Sequence, residues 1–206
     1  MMVKLAIKIM LLLVVFSNVL VGQNSSFGQF KKLSCPEKRW VLFHPFVAKK
    51  GLQLSLEART TTAELKQQNL LKGVGNGDQL DAFRHTYWMA RLAQEIHWRK
   101  AKRLGKAHEK GNYRQFKKGK LEDDVLPDKI SSEMDFFNNQ VGIDLGKSMK
   151  GKELKNEVIQ IVQEGKCKII KTDANGNFLD EQNNIIPAEE LKGKWENRKV
   201  LVNSDY

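Results

Sequence analysis

The sequence predicts a mainly α protein, a compact multi-helix domain with a small β-hairpin appendage on its C-terminal side. Three observations predict it. Between Pro45 and Gln163 apolar residues recur at helical spacing in several long stretches. Beyond Gly165 that spacing gives way to short β-branched runs, Lys168-Ile169-Ile170-Lys171 and Lys199-Val200-Leu201-Val202. No internal repeat of solenoid period is present. With 206 residues, 41% hydrophobic and 29% charged, the chain suits one ordinary domain, and neither wholesale disorder nor a polytopic membrane protein fits. Two cysteines exclude a disulfide-dense scaffold and a Cys-rich zinc module.

Residues 1–22 read as a secretory signal peptide. Lys4 and Lys8 supply the positive start, Ile9 to Phe16 the apolar core, and Val19-Leu20-Val21-Gly22 the approach to cleavage after Gly22. The apolar segment is short for a full span, so no transmembrane span is expected after cleavage. Export places the protein in the periplasm, at the cell surface or outside the cell. There Cys35 and Cys167 either staple the two ends of the domain or remain separate thiols.

A polar lead, 23–34, precedes a helical domain at 35–150 and an extension at 151–206. Pro36 to Phe46 predicts a short helix or turn, and Pro45 separates it from a longer helix over about 46–70. The run Gly73-Val74-Gly75-Asn76-Gly77 reads as a flexible turn, and Asp78 as the cap of a helix to about Leu104. A shorter helix follows over about 106–118, then a loop containing Pro127. Ser131 or Ser132 caps a helix to about Lys150, and 152–163 forms another. Asp173 to Asn177 is a hairpin turn.

Two of these helices carry polar groups on faces that should be apolar. At 100° per residue Asp81, His85 and Trp88 fall together beside Arg84, on a helix apolar almost all round and hence central. The helix over 131–150 repeats the arrangement with Asp135, Asn138 and Asn139, and Gly142 and Gly146 allow close approach. Burying such groups unpaired costs several kcal/mol, so they require partners. Asp78-x-x-Asp81 and Ser132-x-x-Asp135 also have the form of capping boxes, under which each aspartate serves its own helix start. If the two helices pack face to face, a His/Asp/Asn cluster results, closed by His108-Glu109.

The segments Asp81-Ala82-Phe83-Arg84-His85-Thr86-Tyr87-Trp88, His108-Glu109 and Met134 to Gly142 resemble a poorly characterised bacterial domain. That family occurs in exported proteins and at the ends of toxin-like proteins. The pattern is also similar to prokaryotic Wnt-like domains, which are proposed to be lipid- or envelope-directed enzymes. The resemblance covers about residues 35–150 and implies that Asp81, Arg84, His85, His108, Glu109, Asp135 and Asn139 form an active site. A second likeness is to HD-type metal phosphohydrolases, but Glu109 stands where their aspartate belongs, and export is unusual for them.

The cluster suits a hydrolase. In a metal-free scheme His85 is the general base, with His108, Glu109 and Asp135 as the other catalytic groups. Asp81, Arg84, Trp88, Asn138 and Asn139 then bind substrate. In the alternative scheme a divalent metal rests on His85, His108 and Asp135. Ten lysines and arginines lie between Trp98 and Lys120 against Glu109 alone, which predicts an anionic partner, either a lipid head group or an envelope polysaccharide. No nucleic-acid-binding motif is present, so specific nucleic-acid recognition is not expected. A basic, non-catalytic envelope-binding domain is the rival reading.

Overall fold

A computed structural model describes residues 28–121, 125–149 and 153–206, so the signal-peptide reading of 1–22 lies outside the described residues. After a helical turn at 28–32 come α1 (Cys35–Phe43), α2 (Pro45–Gln67), α3 (Gln79–Ile96), α4 (Trp98–Phe116), α5 (Lys129–Ser148) and α6 (Leu154–Gln163). Strand β1 (Lys168–Ile170), the short α7 (Ala188–Leu191) and β2 (Leu201–Asn203) complete the described elements. The fold is mainly helical with a small two-stranded antiparallel sheet. Lys168 pairs with Asn203 and Ile170 with Leu201.

Helix α3 is the axis of the molecule. It packs against α2, α4, α5, α6 and β1, and its Leu80, Phe83, Met89 and Leu92 are wholly buried. Its N-terminus is held by Asp78, whose Oδ1 accepts from the amides of Leu80 and Asp81 at 3.0 and 3.1 Å. The glycine-rich run folds back on the same side chain. Val74, Gly75 and Asn76 all donate to Asp78 Oδ2, so the run is a turn whose amides surround an internal carboxylate. Gly77 has a φ of 73°, a conformation that favours glycine.

The helix predicted to run from 78 to about 104 is broken at His97, which has a φ of 82° and caps α4 by accepting from the Arg99 amide. Nothing in the apolar pattern marks that break, because both halves are buried against α5. Helix α5 begins earlier than predicted, at Lys129. Its cap is Asp128, in a capping box with Ser131, instead of Ser131 or Ser132. Asp128 also accepts from Lys199 at 2.7 Å and Asn197 at 2.9 Å, which ties the C-terminal segment to the start of α5. Ser204 binds the other end of that segment to the core. Its carbonyl accepts from Gln79 at 2.7 Å and its hydroxyl donates to Val162 at 2.6 Å. Leu154, Val158, Val162, Cys167 and Ile169 belong to the same apolar core as α3.

The cysteine staple does not form. Cys35 is an exposed thiol, and Cys167 is a buried one beside the Thr86 hydroxyl at 3.4 Å, with its pKa raised by burial. The Asp173 turn is as read, its carboxylate accepting from the Asn175 and Asn177 amides.

Gly142 and Gly146 sit where α5 crosses α3. A methyl group at Gly142 would overlap the Thr86 carbonyl, and one at Gly146 the Ala90 carbonyl. Both obstacles are helix backbone and cannot rotate away. Gly142→Ala is therefore expected to lower stability by about 3 kcal/mol, the upper range for overpacking, measured by chemical denaturation.

Candidate active site

The α3–α5 crossing brings the two polar faces together. His85 Nε2 lies 3.5 Å from Asp81 Oδ1 on its own helix and 3.3 Å from Asp135 Oδ1 across the interface. His85 Nδ1 is 3.3 Å from Asn139 Oδ1. A carbonyl oxygen can only accept, so this contact holds the imidazole proton on Nδ1 and leaves the lone pair on Nε2. Arg84 Nη2 donates to Asp81 Oδ1 at 2.6 Å and lies 3.4 Å from His85 Nε2. One guanidinium nitrogen thus spans the carboxylate and the imidazole. Burial holds the His85 pKa well below the usual histidine value, and the charges of Arg84 and His108 push the same way against the Asn139 contact. His85 is neutral at pH 7.

Asp81 serves both the helix start and the cluster, but its bond goes to Gly77, one residue before the cap, and not to Asp78 as a capping box requires. Its Oδ2 accepts from the Gly77 amide at 2.7 Å, steadying the turn before α3, while Oδ1 faces Arg84 and His85. Asp135 has no capping duty, because α5 starts six residues earlier. Asn139 orients His85. Asn138 points elsewhere. Its amide nitrogen donates to the Lys168 carbonyl and its oxygen accepts from the Lys168 amide, both at 2.9 Å, so it anchors β1 and takes no part in the cluster.

His108 lies near the cluster as part of a second pair. Its ring centre is 6.2 Å from that of His85 and 5.5 Å from Trp88, which it meets edge-on. Its Nδ1 lies 3.0 Å from Glu37 Oε1. Glu109 is buried one position further on, where Asn112 donates to it at 3.2 Å, and it lines neither of the cavities below. Glu37 was not foreseen. The Ser34-x-x-Glu37 spacing shows a capping box, and Glu37 Oε2 does accept from the Ser34 amide at 2.8 Å. Nothing in the sequence joins its other oxygen to a histidine 71 residues away.

Two cavities meet at this point. One of about 440 Å³ is lined by Trp40, Val41, Leu52, Leu56, Leu104 and Trp88, with Glu37, Arg59, Arg84, His85 and His108 supplying its polar part. The indole Nε1 of Trp88 is buried and has no hydrogen-bond partner among the described residues. The other cavity, about 60 Å³, is lined by Asp81, Asp135, Asn112 and Asp128 and has room for a few water molecules. Arg84, His85 and His108 line both cavities.

A divalent cation, if held, would sit on Asp81, His85 and Asp135, whose ligand atoms lie within 4.8 Å of one another. This replaces the expected set, because His108 is turned to Glu37. Arg84 Nη2 already brings a positive charge to that focus at 2.6 and 3.4 Å, which disfavours a cation there.

Burial pushes the Glu37 pKa upward, but hydrogen bonds from His108 and Ser34 and the charge on the His108 ring outweigh it. The net value lies below the ordinary 4.5. A depressed folded pKa gives stability that is present above the unfolded pKa and lost as pH falls through the folded one. Glu37→Gln is expected to lower the melting temperature at neutral pH and to flatten its decline below about pH 4.5, as followed by thermal melts across pH.

A family model described as a domain of unknown function (DUF6973) matches residues 38–169, more than half of the chain. The match includes every residue of the His85 cluster and stops one residue short of Glu37. No curated protein and no solved structure matches the chain.

Proposed function

The chain belongs to the DUF6973 family, and we propose that it is an exported hydrolase acting on an ester or phosphodiester in an anionic envelope lipid. The observation that carries this reading is the neutral, oriented His85 at the junction of an apolar cavity and a small polar one. A buried imidazole kept neutral, with its proton fixed on the far nitrogen, is equipped to accept a proton on the near one.

In the resting arrangement Arg84 bridges Asp81 and His85 Nε2. A substrate phosphate or carboxylate competes for that guanidinium, and its departure uncovers the Nε2 lone pair. Water from the polar cavity gives its proton to Nε2 while its oxygen attacks the carbonyl or phosphoryl centre. Asp81 and Asp135, at 3.5 and 3.3 Å, stabilise the imidazolium as it forms. The scissile bond breaks toward the leaving oxygen, which takes a proton from His108, itself held by Glu37. The Trp88 indole N–H is a ready donor to the developing oxyanion. The apolar walls of the larger cavity suit a hydrocarbon portion of the substrate, and the lysine-led apolar run at 4–16 supports delivery to the envelope.

His85→Ala is expected to reduce turnover of a phospholipid ester at least about 100-fold, the usual scale for a lost general base. Its circular dichroism spectrum should stay native, and chelation with EDTA should leave the wild-type rate unchanged. Wild-type turnover in His85→Ala would refute the reading. A fall in melting temperature, with no hydrolysis by either protein over a panel of anionic lipids, would favour the non-catalytic envelope-binding domain.

A further inference from the structure

We infer that the corner between α1 and α2 is a docking surface for an anionic lipid bilayer. Three large apolar side chains are displayed there within five positions: Leu42 is 69% exposed, Phe43 81% and Phe46 99%. Single exposed apolar residues are ordinary, whereas three on one projecting turn mark an interaction site.

The turn is built to hold them out. His44 ends α1 and Pro45 begins α2, so the backbone cannot continue as one helix. The His44 ring stacks on Trp40 with centroids 4.7 Å apart, and its Nδ1 lies 2.8 Å from the Trp40 carbonyl. Trp40 is itself buried and donates to the Lys100 carbonyl at 3.1 Å. The corner is fastened from within, and its outward side chains have no fold-stabilising packing to lose.

The charge around the corner identifies the partner. Residues 31–50 contain six lysines and arginines and one acid, Glu37, which faces inward to His108 and Ser34. Arg39 and Lys49, one helical turn from Leu42 and Phe46, are exposed, as is Lys32. An apolar wedge in a basic collar is the chemistry of peripheral attachment, with the rings entering the acyl boundary and the cations meeting acidic head groups. A second copy of the chain would set this collar against its own image and be repelled. Val41, Ala48, Lys49 and Leu52, from the same corner, line the larger cavity, so docking turns that cavity toward the bilayer. The surface is separate from the His85 cluster and does not depend on the hydrolytic reading.

The test uses the full chain with phosphatidylcholine vesicles, with and without phosphatidylglycerol. In a Phe46→Trp variant the added fluorescence should shift to the blue and be quenched by brominated acyl chains on anionic vesicles only. That readout reports the corner itself, whatever else attaches the chain. A Phe43→Ser/Phe46→Ser double variant should keep its melting temperature and lose at least about tenfold in vesicle partitioning, with binding weakened by salt. The proposal is overturned if the F46W signal stays aqueous while the chain sediments with vesicles, which would assign binding to another surface such as Lys100–Lys120. It is equally overturned if no anionic vesicle binds the chain, or if the double variant instead dissolves a dimer.

Discussion

Everything at the candidate site depends on how closely α3 and α5 approach. Gly142 and Gly146 let the α5 backbone rest against the carbonyls of Thr86 and Ala90. Only at that separation do Asp135 and Asn139 reach His85 on the facing helix. The crossing therefore joins a packing constraint to a chemical one. Without the glycines the helices would stand apart, and each polar face would be an unpaired liability in the core.

The buried polar groups balance one another in a particular way. One carboxylate, Asp81, and one imidazole share a single guanidinium nitrogen, and a neutral imidazole beside two acids is tolerable because Arg84 donates into the gap. Removing one member of such a set leaves the others desolvated and uncompensated, which costs more than the contact itself contributes. Asp81 is the clearest case, since one oxygen stabilises the turn at Gly77 and the other the His85 cluster. Structure and chemistry are not separable at that residue.

Much of this was legible in the sequence, for physical reasons. A helix apolar on nearly every face must be central, and polar residues repeated at i, i+3 and i+4 on two such helices must meet. That logic put Asp81, Arg84, His85, Asp135 and Asn139 on facing helices, and the structure brings their side chains together. It failed for Asn138, whose neighbour in space is the backbone of a strand 30 residues on. Glu109, one residue on from His108, is turned to Asn112 by the 100° step of the helix. Glu37 was hidden because a capping box fully explains a Ser-x-x-Glu spacing, and its contact to His108 is a matter of tertiary geometry alone. The break at His97 was equally invisible, since a positive φ at a histidine leaves no mark on apolar periodicity.

The clasp formed by residues 195–204 bears on the order of assembly. Ser204 holds the first turn of α3 through Gln79, a contact spanning 125 residues, and Lys199 and Asn197 hold the cap of α5. Contacts this distant in sequence form late, after the chain has covered the entropy of closing a very long loop. The two helices that carry the buried polar groups are thus secured by a segment that is synthesised after both of them. A partly made or partly unfolded chain would hold its imidazole, acids and guanidinium apart, and the cluster would assemble only together with the clasp.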